Sequence, residues 1–217
     1  MKKTKIFILI SILGILGVYA VTRQPLIKKA VSVEPLDSLP AFRDGDLIFQ
    51  VNTGGQGLAI QLATHSRYTH VGILFKEGNE WMVYEAVEPV RVVSLKGFAA
   101  AGDDGTYAVR RLAKGDSLLT SKTLGQMKAY LKKQVGKHYD IHFGWSDDRL
   151  YCSELVWKCY NQAGISIGPL KKLKEFDLTD PIVKTIMAER YGKNIPYEEK
   201  VVSPGDIFDN ADLVDVL

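Results

Sequence analysis

The stretch from Tyr68 to Val87 limits the fold of this chain more than any other. Val71, Ile73 and Phe75 alternate with other residues as in a strand with one face against a core, and Trp81 to Val87 resumes strand character after Gly78-Asn79. Such a pair across a two-residue turn is a β-hairpin. With Gly78 and Asn79 as the loop, Glu77 faces Glu80 and the rest of the register follows. His70 then lies across from Val87, with Glu85 on the same face in the diagonal position. Diagonal side chains have β-carbons about 7 Å apart, a gap that an imidazole and a glutamate can close. A slip of one residue would put the two on opposite faces. His70 shares its face with Gly72, which is expected to leave room beside the ring.

Further strands are expected at Leu47–Gln50, Val90–Leu95 and Thr106–Arg111, with a short helix at Leu58–Thr64 and Gln56 near its start. The second half is helical in period. Leu119, Leu124, Met127 and Leu131 give an apolar side to a helix over Leu118–Gln134, stopped by Gly136. Cys152–Ala163 forms another, with Cys152, Leu155, Val156, Cys159 and Ala163 on one stripe and Gly164 as its stop. A last helix is expected at Pro181–Arg190, capped by Thr179. Ser203-Pro204-Gly205-Asp206-Ile207-Phe208 echoes Gly45-Asp46-Leu47-Ile48 and reads as a second strand start, too short to constitute a repeat. These elements predict an α+β domain, an antiparallel sheet packed against helices.

The first residues stand apart. Lys2, Lys3 and Lys5 precede a run from Ile6 to Val21 that carries no charge, the pattern of an export signal. The run is short for a permanent span, which needs about 20 apolar residues. Val18 and Ala20 are small enough for cleavage after Ala20, so residues 1–21 are read as a signal peptide or a retained membrane anchor. No cysteine follows directly, so the simplest lipoprotein arrangement is absent. Residues 22–41, broken by Pro25, Pro35 and Pro40, are read as a tether, and 42–217 as the domain. The expected location is outside the cytoplasm, periplasmic or extracellular, either released or held by residues 6–21. About 175 residues remain for the domain, enough for one core.

A hydrophobic content of 46% with 24% charged residues is that of a globular protein and excludes a disordered chain. The net charge of +3, part of it from the leading lysines, does not call for nucleic acid. Lys132-Lys133 and Lys171-Lys172 read as solvated faces.

The chain has two cysteines, seven residues apart in one predicted helix. That spacing separates their α-carbons by about 10 Å, beyond the roughly 7 Å a disulfide tolerates. Unpaired thiols are unusual in an exported chain. Cys159, mid-helix among Leu155, Val156 and Ala163, reads as a small core side chain. Cys152 opens the helix after the polar loop Ser146-Asp147-Asp148-Arg149, where free amides and the helix dipole stabilise a thiolate. Position alone leaves it readable as core or as nucleophile, and a base has to be found. His70 with Glu85 is the base-orienting pair the hairpin offers, although a surface histidine beside a glutamate fits the same pattern. His65 reads as helix-end surface or a second polar group near the site. His138 and His142 would suit a metal only on a helix, and the surrounding glycines predict loop.

The segments His65-Ser66-Arg67-Tyr68-Thr69-His70-Val71-Gly72, Tyr84-Glu85-Ala86-Val87, Trp145 through Lys158 and Leu173-Lys174-Glu175-Phe176-Asp177-Leu178 closely resemble the YiiX-like family. Its members are circularly permuted papain-like hydrolases, related to NlpC-type peptidoglycan hydrolases and, more distantly, to lecithin:retinol acyltransferase. The resemblance runs from about Phe42 to the carboxyl end and includes the permuted order, His70 before Cys152. It implies a permuted papain-like, NlpC-type fold, with Cys152 as nucleophile, His70 as base and Glu85 as the residue orienting it. The implied chemistry is hydrolysis of an amide or peptide bond of a cell-envelope substrate through a Cys152 thioester, with no metal or organic cofactor required. A lipid ester hydrolase or acyltransferase using the same residues, and a binding domain with little turnover, are the alternatives. The sequence is silent on oligomeric state.

Overall fold

A computed structural model describes residues 41–217. The expected leader at 1–21 and all of the expected tether at 22–41 except Ala41 lie outside the described residues. In chain order the elements are β1 (Leu47–Gln50), α1 (Gly57–Thr64), β2 (His70–Glu77), β3 (Glu80–Glu85), β4 (Arg91–Ser94), α2 (Leu95–Ala101), β5 (Ala108–Leu112), α3 (Gly115–Leu118) and α4 (Ser121–Gln134). They continue with β6 (His138–Tyr139), β7 (Arg149–Leu150), α5 (Cys152–Gln162), β8 (Lys171–Lys172), α6 (Pro181–Tyr191), β9 (Lys200–Val201), α7 (Pro204–Phe208) and β10 (Leu213–Asp215).

The hairpin forms in the expected register: Glu77 pairs with Glu80, and Ile73 with Tyr84. Gly78 supplies the positive φ of +60° that the two-residue turn demands. A six-stranded sheet in the order β10-β5-β1-β2-β3-β4, antiparallel throughout, carries the fold. One face, with Leu47, Phe49, Val71, Ile73 and Phe75, meets the apolar sides of α4 and α5 through Met127, Leu131, Leu155, Val156 and Cys159. The other face, with Ile48, Leu74, Val83 and Val109, is closed by Phe98 of α2. The α+β class expected from the residue pattern is therefore the observed one.

Several local expectations are corrected. The helix expected over Leu118–Gln134 is interrupted, because the Thr120 hydroxyl accepts from the Thr123 amide and starts α4 afresh. Asp180, not Thr179, caps α6, accepting from the Ile182 amide at 2.8 Å, while Thr179 is held in a turn by Asp177. The segment 203–208 is a helix and not a strand: Ser203 caps it, Pro204 occupies its first turn, and the likeness to the start of β1 ends at the backbone. The helix α2, capped by the Ser94 hydroxyl, and the edge strand β10, paired with β5, were not expected.

Gly72 does not leave open room beside His70. A β-carbon there would sit 2.4 Å from Val83 Cγ1, 3.0 Å from the Tyr84 carbonyl oxygen and 3.5 Å from the Phe98 ring. The bare backbone is what lets Phe98 close over the sheet. Gly72→Ala is expected to lower stability by about 1–3 kcal/mol through overpacking, read as a fall in the urea midpoint at unchanged slope. An unshifted midpoint would show that Val83 and Phe98 yield freely.

Candidate active site

β2 and α5 build the site together. β2 begins at His70, and α5, packed across it, begins at Cys152, so the two ends coincide. Tyr151 stands at the N-cap position, and the Glu154 carboxylate accepts from its amide at 3.3 Å. Buried Glu154 is also 2.9 Å from Lys158 Nζ. Burial pushes its carboxyl up to about 7 against the pull of Lys158. Glu154 thus closes the first turn that carries the cysteine, a part in the site that its sequence position did not reveal because Tyr151 is not a usual cap residue.

The three residues expected from sequence are brought together. The His70 Nε2 is 2.6 Å from Glu85 Oε2, and the ring lies near enough to the Cys152 sulfur for each to shift the other's titration. Glu85 is 1% exposed, and its other oxygen accepts from Arg91 Nε at 2.8 Å. Phe98 stacks on the imidazole, centroids 5.6 Å apart and planes 24° from parallel, so the ring is fixed on its face as well as at its edge.

Charge follows from this geometry. Burial opposes a thiolate at Cys152, but the His70 hydrogen bond and charge, with the backbone amides of Val71 and Ser153, outweigh it and hold the thiol below its usual range. Burial likewise opposes the imidazolium, yet Cys152 and then Glu85 carry His70 up to about 10. Glu85 resists its own burial through His70 and Arg91 and stays below the usual carboxylate range. All three shifts act in the direction of a thiolate–imidazolium pair beside a carboxylate. Cys159 is the opposite case: buried beside the Met127 carbonyl, its thiol is pushed far up.

Three more residues reach the site from distant segments. Gln56 Nε2 donates to the Tyr139 hydroxyl at 2.6 Å, and Arg190 of α6 donates to the other end of the Gln56 amide. Tyr139 is close enough to the sulfur that burial, and next the Cys152 charge, hold its hydroxyl well above the ordinary value. Gln56 sat near a predicted helix start and Tyr139 in a predicted loop, and neither carried a local signal of chemistry. Arg190 was named only as the end of an expected helix. His65, by contrast, is exposed at the end of α1, 3.3 Å from Asp177. His138 pairs with Glu88, and the stretch carrying it and His142 is not helical.

The sulfur opens onto an apolar pocket of about 80 Å³ between α1 and α6, walled by Ala59, Ile60, Phe176, Leu178, Val183 and Met187. A larger cleft of about 440 Å³ lies on the His70 side, and its lining mixes apolar residues with polar and charged ones. Tyr139, Gln56 and Arg190 border both.

Residues 41–217 match a family described as a permuted papain-like amidase enzyme, the YaeF/YiiX, C92 family. The chain is 48% identical over 186 residues to the uncharacterised protein YiiX of Escherichia coli strain K12, covering 83% of this chain and 91% of that protein. It is also similar to the crystal structure of yiiX from Escherichia coli O157:H7, with a TM-score of 0.76 and 48% identity, covering 81% of this chain and 96% of the other. That protein is described as a metalloprotein. The donor set here does not fit a metal. Among the described residues no three His, Cys, Asp or Glu side chains cluster for one, and both Glu85 oxygens are already engaged. No helix among the described residues is long and apolar enough to cross a membrane.

Proposed function

The chain belongs to the YaeF/YiiX family of permuted papain-like amidases, and from that premise we propose that it hydrolyses an acyl amide with Cys152 as nucleophile, His70 as acid and base, and Glu85 as the orienting residue. The observation that carries the reading is the placing of His70 between the Cys152 sulfur and the Glu85 carboxylate, which it meets at 2.6 Å, with Cys152 in the wall of an apolar pocket. The Cys152 thiolate attacks the carbonyl carbon, and the carbonyl electron pair moves onto oxygen. As that pair returns, the C–N bond breaks and His70 gives its proton to the departing amine, leaving a thioester. Water then attacks the thioester while His70 takes its proton, and the acid leaves as the thiolate is restored.

The amide at the start of α5 is one donor to the oxyanion, and Tyr139 supplies the second. Its oxygen accepts from Gln56, whose amide is held in that orientation by Arg190. The phenolic proton is therefore free to donate into the site. Tyr139→Phe is expected to lower kcat about a hundredfold with little change in KM, since the bond is made in the transition state. A rise in KM alone would reassign Tyr139 to binding.

The apolar wall supports a substrate whose acyl side is apolar, a class in which a fatty amide and a lipid ester are both found. The ester reading, hydrolysis or transfer, rests on that same wall. The expected leader at 1–21 supports a cell-envelope substrate. Full-length protein incubated with an octanoyl amide and the matching octanoyl ester, each followed by release of octanoic acid, tests the proposal. Release from the amide is expected, release from the ester alone would favour the lipid-ester reading, and binding without release from either would leave a binding domain.

A further inference from the structure

His70 delivers its proton to the leaving group, so on the proposed mechanism the leaving group lies on the His70 side of the sulfur, away from the apolar pocket. That side is the larger cleft, and its charged lining is unbalanced. Its two carboxylates are committed: Glu85 to His70 and Arg91, and Glu88 to His138 and the Tyr139 backbone amide. Its two guanidinium groups keep spare donors. Arg91 bonds Glu85 through Nε, leaving the fork of terminal nitrogens over. Arg190 bonds the neutral Gln56 amide, lies against the Phe143 ring and makes no ion pair among the described residues, although it is half-buried. Burial pulls it down from the usual guanidinium value, and the nearby charges of Tyr139, Tyr191 and Glu189 offset this only in part. A partly desolvated guanidinium with spare donors is completed by a planar or tetrahedral oxyanion.

We propose that the cleft beside His70 binds an anionic oxyacid group, a carboxylate or a phosphate, carried by the leaving amine, with Arg190 as the residue that selects for it and Arg91 as the second cation of the site. This deepens, and rests on, the assignment of Cys152 and His70 above. It defines the substrate as two-sided, an apolar acyl group joined to an amine that bears a negative charge. Arg190 borders both spaces, so it stands at the point where the two halves meet.

The test uses full-length protein with Cys152→Ala, so that binding is read without turnover, and two matched pairs of probes in isothermal titration calorimetry. One pair is N-octanoylglycine and its neutral amide, N-octanoylglycinamide. The other is N-octanoyl-phosphoethanolamine and neutral N-octanoylethanolamine. The charged member of at least one pair is expected to bind about tenfold or more tighter, as for a hydrogen bond to a charged group. The pair that shows the larger ratio identifies carboxylate or phosphate. Adding Arg190→Gln is expected to bring the ratio to within about twofold, the charged member losing most of its advantage over the neutral one. A merely structural part for Arg190 would weaken both members equally. Equal binding within both pairs, no binding of either, or a preference that survives Arg190→Gln and Arg91→Gln overturns the assignment. Hydrolysis of the same four compounds by the unaltered protein is read separately. A charge preference in binding without any turnover counts against the hydrolase reading alone, and turnover without charge preference counts against this one alone.

Discussion

Replacing Cys152 with alanine is expected to lower hydrolysis of an accepted amide by about a thousandfold or more while the thermal transition stays in place. The side chain is small and, though buried, borders a pocket, and its loss leaves His70 still held by Glu85. The unaltered protein carries an internal control for this experiment. Cys159 sits one and a half to two turns further along the same helix, fully buried, with its thiol pushed up and its sulfur on the Met127 carbonyl. An ordinary thiol is only a few per cent ionised at pH 7, so a Cys152 held as thiolate should alkylate at least roughly thirtyfold faster from ionisation alone. Labelling with iodoacetamide followed by peptide mass spectrometry reads both sites at once. Equal slow labelling of the two cysteines would remove the nucleophile.

Glu85→Gln is the second large effect. The carboxylate holds the His70 ring from one oxygen and Arg91 from the other, and it is one of the two groups that keep the imidazole charged. The amide keeps the shape but not the charge, and its nitrogen can meet the ring only by turning His70 to the wrong tautomer. We expect kcat to fall by about a hundred- to a thousandfold, the range of a general base that is present but misdirected. KM should change little, because Glu85 touches no substrate. The pH profile gives a more specific sign. On the proposed mechanism the active form lies above the lowered Cys152 value and below the raised His70 value near 10. Without the carboxylate His70 descends, so the alkaline limb of kcat/KM moves to lower pH. Stability follows the same sign: the contribution of the raised His70 is full below its unfolded value of about 6.5 and is lost as pH climbs toward 10. An unmoved alkaline limb with normal kcat would leave Glu85 a structural residue.

How the site came to be readable depends on where each residue lies in the chain. Glu85 and His70 are on neighbouring strands joined by two residues, so local turn chemistry and a period of two were enough to put them face to face. Cys152 opens a helix whose apolar stripe is plain in the sequence, so its position at the positive end of the dipole was legible as well. That His70 and Cys152 meet was suggested by resemblance, since nothing local relates residues 82 positions apart. The same limit applied to Phe98, Tyr139, Gln56 and Arg190. Each was an unremarked loop, cap or helix-face residue, and each reaches the site because α2, the 139–150 loop, α1 and α6 are folded against different sides of one strand end.

Errors in the sequence reading have a common cause. Gly72 was taken as open space because a missing side chain can mean either room or contact, and only Val83 and Phe98 across from it decide which. The Gly-Asp-Ile-Phe of α7 repeats the residue types that begin β1, yet Ser203 and Pro204 set a helix there. Short segments lack the length for periodicity to outvote caps and packing.

The sequence by itself determined the hairpin register, the helix that presents Cys152 and the α+β class, because turn residues and hydrophobic period act between near neighbours. Only the tertiary structure decided that the sulfur borders an apolar pocket while His70 borders a separate cleft with charged groups, and that Arg190 borders both. Those properties belong to surfaces assembled from segments far apart in the chain, and their charge balance depends on which partners each side chain finds after folding.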